Sequence, residues 1–180
     1  MSALCWQTIL KNKIQQLMMK KPSPRVVVVG IGNRMLGDDA VGPVIARTLR
    51  QAVVERPALL CLDAGPTPEN FTGSILRFQP DMLLMVDAAD LNAPPGAIHL
   101  LDPYRDQTYQ VGTHTLALSV CIHYIQASLH CEVYLLAVQP YTLQPGHGLS
   151  TPVRHSARQI IGVLAALLTK SNHVIEALPT

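Results

Sequence analysis

The sequence predicts a three-layer α/β/α sandwich around a mostly parallel, twisted sheet of about five strands. Three observations lead there. Short β-branched or leucine-rich runs alternate along the chain with apolar stripes of helical period. The runs lack the polar alternation of a one-sided sheet, so both of their faces are expected to be buried. Of 180 residues, 48% are hydrophobic and only 14% charged, against roughly 25% in ordinary soluble proteins. Such a chain has a core to bury and too little charge to stay extended.

Residues 1–24 read as an amino-terminal amphipathic extension, and residues 25–180 as a single α/β domain. In the extension Trp6, Leu10, Ile14, Leu17 and Met18 recur at helical spacing, opposite Lys11, Lys13, Lys20 and Lys21. Pro22-Ser-Pro24 ends that helix. A basic amphipathic helix can lie on a membrane or a partner, but packing on its own domain, or a tail, is the simpler expectation. Arg25–Gly30 is the first strand, and Val41, Val44, Ile45, Leu49 and Ala52 mark the helix after it. Ala58–Asp63 and Met82–Asp87 are two further strands, each closing on an aspartate, with a helical stretch at Glu69–Phe78 between them. Ala97–Leu101 follows the turn Pro94-Pro95-Gly96 as a strand. Leu118, Cys121, Ile122, Ile125 and Leu129 mark a helix, and Glu132–Val138 the fifth strand. Thr151 is placed to cap the last helix, with Pro152 in its first turn and Val153, Ala157, Ile160, Ile161, Leu164 and Leu168 on its buried face.

Several classes of function are excluded. The longest apolar run, Ile160–Leu168, is nine residues, where a bilayer span needs about 20. A net charge of +2, with two Phe and one Trp, offers neither the field nor the stacking platform of a nucleic-acid binder. Cys5, Cys61, Cys121 and Cys131 form no CxxC pair, so zinc and dithiol redox centres have no framework. The basic segment Met1–Arg25 lacks the compact apolar core of a signal peptide, and a cytoplasmic monomer is expected.

The loop Gly30-Ile-Gly32-Asn-Arg-Met-Leu-Gly37-Asp38-Asp39 lies where nucleotide fingerprints sit. Its details reject that reading. Met35 stands where the Rossmann pattern requires glycine, and Asp38 and Asp39 stand where a P-loop requires Lys and Ser or Thr. Two carboxylates there repel a pyrophosphate. One of the pair can cap the following helix. Asp87, however, ends the strand expected beside strand one, and in a doubly wound sheet ligands bind where the strand order reverses. Clustered carboxylates favour a cation, and His114 in Gly112-Thr-His-Thr115 is a candidate nitrogen ligand from the same rim. Taken alone, each of these acids is more often a turn former than a ligand, and a lone histidine at a helix start is usually structural or solvated.

The ordered series of motifs resembles the family of NiFe-hydrogenase maturation endopeptidases. Gly30-Ile-Gly32-Asn33 through Gly37-Asp38-Asp39-Ala-Val-Gly42 is similar to the family's opening loop, and Asp63-Ala-Gly65 to the turn after its second strand. Phe78-Gln-Pro-Asp81 leading into Leu83–Ala88, then Thr113-His114-Thr-Leu116, Val138-Gln139-Pro140 and Gly148-Leu-Ser150, follow in the family's order. Thr67-Pro-Glu-Asn70 and Asp102-Pro103 are most similar to the branch serving formate-hydrogenlyase-type hydrogenases. The basic extension and Arg34 depart from the pattern without removing a motif residue.

The resemblance implies an endopeptidase that removes the carboxy-terminal extension of the hydrogenase large-subunit precursor after nickel insertion. It implies a metal triad of Asp39, Asp87 and His114, with the nickel borne by the precursor. Asp38 is then the candidate base that activates water, with a helix cap as its alternative. Gly37, Asp63 and His147 are expected along the substrate groove. No GxSxG elbow, HExxH helix or Asp-Thr-Gly pair is present to suggest another peptidase class. Two other readings of the same acids are a metal-dependent hydrolase with its own resident ion and a non-catalytic module that binds the nickel-loaded subunit.

Overall fold

Helices cover both faces of one five-stranded sheet, in the strand order β2-β1-β3-β5-β4. The structure is a computed structural model that describes residues 5–53, 56–103 and 115–168. The strands are β1 (Val26–Ile31), β2 (Leu59–Gly65), β3 (Met82–Ala88), β4 (Ile98–Leu101) and β5 (Glu132–Val138). The helices are α1 (Trp6–Lys20), α2 (Val41–Ala52), α3 (Thr72–Phe78), α4 (Thr115–Ser128) and α5 (Thr151–Leu168).

The apolar runs sit where their composition requires. Every residue of β1 and β3 is buried, as central strands covered on both faces must be, whereas β2 at the edge is only partly so. One face packs Val28, Leu84 and Leu136 against Ile45 and Leu49 of α2, Ile160 and Leu164 of α5, and Leu10 and Ile14 of α1. The other packs Val27, Met85 and Leu135 against Ile75 of α3 and Cys121, Ile122 and Ile125 of α4. The amino-terminal helix therefore shares the core: Trp6, Leu10, Ile14 and Leu17 are buried, while Lys11 and Lys20 face solvent. Its Lys13 ammonium lies 5.4 Å from the centre of the Tyr134 ring.

β1, β2, β3 and β5 run parallel, and β4 is antiparallel to β5. The physical reason is the connector. Residues 89–97 contain no helix, and a parallel return needs a crossover of about a dozen residues or more, so β4 can only run back. The helical stretch expected at Glu69–Phe78 resolves into a 3₁₀ turn, Pro68–Phe71, followed by α3. α3 stops at Gln79, which takes a left-handed conformation (φ 49°) and returns its N–H to the Ile75 and Leu76 carbonyls.

β1 is flanked by β2 on one side and β3 on the other, so the strand order reverses at its carboxyl end. Gly30 pairs with Val86 there, and the loop leaving β1 faces Asp87 of β3.

Candidate active site

The residues after β1 coil tightly before α2 begins. Gly32 has φ +128°, and a Cβ there would collide with the Asp39 carbonyl. The Asn33 N–H donates to Asp39 Oδ2 at 2.6 Å, and the Met35 N–H to Asn33 Oδ1 at 2.9 Å. A 3₁₀ turn, Gly37–Ala40, then carries Asp38 and Asp39 inward; both are buried.

Gly42, in the first turn of α2, brings Asp39 up to β3. A Cβ at this position would overlap the Val86 and Ile31 carbonyls, and one at Gly30 would overlap the Gly42 carbonyl. Only two glycines in contact let the helix start seat directly on β1 and β3. Gly42→Ala is expected to destabilise the fold by about 3 kcal/mol, because backbone cannot yield as a side chain does. A shift in the urea midpoint measures this, and an unchanged midpoint would refute the packing argument.

Asp87 is 1% exposed at the end of β3, and both of its carboxylate oxygens are buried without a hydrogen-bond partner. Burial, and then the charge of Asp39, push its pKa up to about 8. The adjoining Ala88 N–H offsets a little of this without meeting hydrogen-bond geometry. A buried carboxyl without donors is rare, and it is the feature of this molecule that most requires a function.

Asp38 has another occupation. It is fully buried, and its carboxylate accepts from the Tyr141 N–H (2.8 Å), the Thr142 N–H (3.1 Å), the Ser150 N–H (2.6 Å) and the Ser150 hydroxyl (2.9 Å). Its own N–H donates to the Thr142 carbonyl at 2.9 Å. Asp38 therefore caps nothing in α2, and its carboxylate is occupied by four fixed donors rather than turned toward a water. Ser150 rather than Thr151 holds the N-cap position of α5: its carbonyl accepts the Arg154 N–H at 2.8 Å, and its side chain goes to Asp38.

The remaining expected groove residues are spread around this centre. Asp63, at the end of β2, forms an ion pair with Arg34, the residue that departs from the family's opening loop. Gly37 (φ +50°) faces the Thr142 carbonyl, which a Cβ would approach to 2.7 Å. His147 is exposed on the loop before α5. His114 lies outside the described residues, immediately before α4. Among the described residues no three His, Cys, Asp or Glu side chains gather as a metal site, and Asp39 with Asp87 supply two acids.

A family model described as HycI, hydrogenase maturation protease, matches residues 43–166. The chain belongs to the hydrogenase maturation protease family. That match contains Asp87 and His114 and begins just past Asp39. The protease is 29% identical over 135 residues to the hydrogenase 3 maturation protease of Escherichia coli K12, covering 74% of this chain and 85% of that one. Its fold is similar to the NiFe hydrogenase maturation protease HycI from Thermococcus kodakarensis, with TM-score 0.78, 28% identity, and 90% and 99% of the two chains covered. It is also similar to the hydrogenase maturating endopeptidase HybD from E. coli, with TM-score 0.69, 25% identity, and 82% and 93% covered.

The protease is a peptide-bond hydrolase, and three of its thiols are poor nucleophiles. All four cysteines are free, and burial pushes Cys61, Cys121 and Cys131 up to about 11, far from thiolate at neutral pH. No helix among the described residues is long and apolar enough to cross a membrane. Sequence reasoning placed Ser150 in a motif but missed its bonds to Asp38, and missed the Arg34–Asp63 pair; both contacts join segments far apart in the chain. The spacing of Gly30 and Gly42 was the one available signal for the close helix seat.

Proposed function

We propose that the protease removes the carboxy-terminal extension of a NiFe-hydrogenase large-subunit precursor after nickel has entered it, acting in the cytoplasm as a monomer. The observation that carries this reading is the Asp39–Asp87 pair. One acid from the 3₁₀ turn after β1 and one from the end of β3 are 5% and 1% exposed, and the oxygens of Asp87 have no donors. Such a pair favours a cation, and with an imidazole from His114 the donor set suits nickel. The nickel is the substrate's own, so holding it also tests that the precursor is loaded.

A bound dication supplies Lewis-acid polarisation of the scissile carbonyl. The other duties fall to the chain. The Asn33 N–H fixes the orientation of Asp39. In the metal-free protein burial and Asp39 keep a proton on Asp87 near neutral pH; a cation held by the pair would displace that proton and leave Asp87 as a ligand. Asp38, held by four donors, is assigned to fixing the loop before α5 rather than to activating water.

The test is the intact mass of a large-subunit precursor incubated with the protease, nickel-loaded and nickel-free in parallel. Loss of a carboxy-terminal peptide from the loaded form alone is expected. His114→Ala is expected to slow that cleavage by about 100-fold or more while leaving thermal stability within about 1 kcal/mol. Cutting of both forms would instead favour a hydrolase with a resident ion. A stable complex without loss of mass would favour a binding module.

A further inference from the structure

Six large hydrophobic side chains are exposed among the described residues, and three of them occupy two adjoining loops beside the acid pair. Met35 is 75% exposed on the loop after β1, and Tyr141 and Leu143 are 70% and 46% exposed on the loop before α5. The loops are stitched together: the Gly146 N–H donates to the Met35 carbonyl at 3.1 Å, and the Asp38 N–H to the Thr142 carbonyl at 2.9 Å. The Asp38 carboxylate, receiving the Tyr141, Thr142 and Ser150 amides, locks the two into one body. The first loop is also tied to the acid pair itself through the Asn33 N–H on Asp39.

From this we infer that Met35, Tyr141 and Leu143 form an apolar lip that receives the precursor segment flanking the scissile bond, with Asp38 as its positioning residue. The inference rests on the proposed function, since it names what that site holds. Two features select an uncharged, apolar segment as the occupant. Residues 139–150 carry no Asp, Glu, Lys or Arg, and Arg34, the charge beside Met35, is engaged by Asp63. The loop before α5 therefore offers a peptide no charge of its own, and three large side chains held in water gain by being covered, while Arg34 and Arg47 line a neighbouring cleft with Gly148 and Leu149. It is also continuous, through Asn33 and Asp38, with Asp39, so a peptide seated on it is delivered to the site.

Steady-state cleavage of the nickel-loaded precursor tests this with the full chain. The Met35→Ser/Tyr141→Ser/Leu143→Ser variant is expected to raise KM by about 10- to 100-fold while kcat moves less than about threefold. Met35→Leu/Tyr141→Phe/Leu143→Met, which keeps the apolar surface, is expected to restore KM. Val120→Ser/Tyr124→Ser, an exposed apolar pair on α4, serves as the control and is expected to leave KM unchanged. An unchanged KM in the lip variant would overturn the inference, as would loss of self-association without a change in KM, which would assign the lip to a second copy of the chain. Should the wild-type protein bind the precursor without cutting it, the proposed function fails. The lip is then judged by calorimetry with the same variants: loss of affinity supports it, and unaltered affinity overturns it.

Discussion

Asp87→Asn is expected to abolish precursor cleavage and at the same time to make the metal-free protein more stable above neutral pH. The first effect follows from removing the acid that lacks hydrogen-bond donors in the native fold. The second follows from its pKa, which burial and Asp39 raise from 3.8 to about 8. Below about pH 4 both native and unfolded chains hold this proton, and Asp87 contributes no difference between them. Between about pH 4 and 8 the unfolded chain releases the proton while the native chain keeps it, so stability falls as pH rises. Above about 8 the native protein must bury a carboxylate beside Asp39, and the full cost is present. Asparagine carries no such proton. The gain on substitution should therefore be small at pH 4 and reach a few kcal/mol at pH 8.5. Urea unfolding of the two proteins at both pH values measures this. A constant difference between them would show that Asp87 is not a protonated acid in the native state.

Asp38→Ala is the second large effect, and its direction is opposite. The substitution strands the Tyr141, Thr142 and Ser150 N–H groups and the Ser150 hydroxyl, which now share one carboxylate. Orphaning donors in a buried site is expected to cost about 3–5 kcal/mol and to release the loop before α5 from the loop after β1. Asp38→Asn keeps the shape but offers one acceptor oxygen in place of two, so it should fall between the wild type and Ala. A base that acted directly on water would instead show a large loss of kcat with near-native stability. Equilibrium unfolding together with steady-state cleavage separates the two roles. A stable, inactive Asp38→Asn would return Asp38 to the chemistry.

Much of the architecture was legible because it is written in local patterns. β-branched runs without polar alternation can only be central strands, and β1 and β3 are buried throughout. The stripe of Val41, Ile45 and Leu49 made α2 visible, as Trp6, Leu10, Ile14 and Leu17 did for α1. Orientation was less visible. Ala97–Leu101 read as one more strand, and its reversal against β5 emerged only from a connector too short for a crossover.

The sequence by itself determined the fold class, the family and the placing of acids at strand ends, because each depends on residue type and spacing along the chain. Only the tertiary structure divided the labour between Asp38 and Asp39. Adjacent in sequence and both buried, they differ in where the 3₁₀ turn aims them. Asp39 turns toward Asp87 of β3, while Asp38 turns toward donors more than a hundred residues away, at Tyr141, Thr142 and Ser150. Only close packing decided that Asp38 is saturated and that Asp87 remains without donors. The burial that holds a proton on Asp87, and the glycine contact that seats α2 beside it, are likewise properties of the assembled sheet and helix.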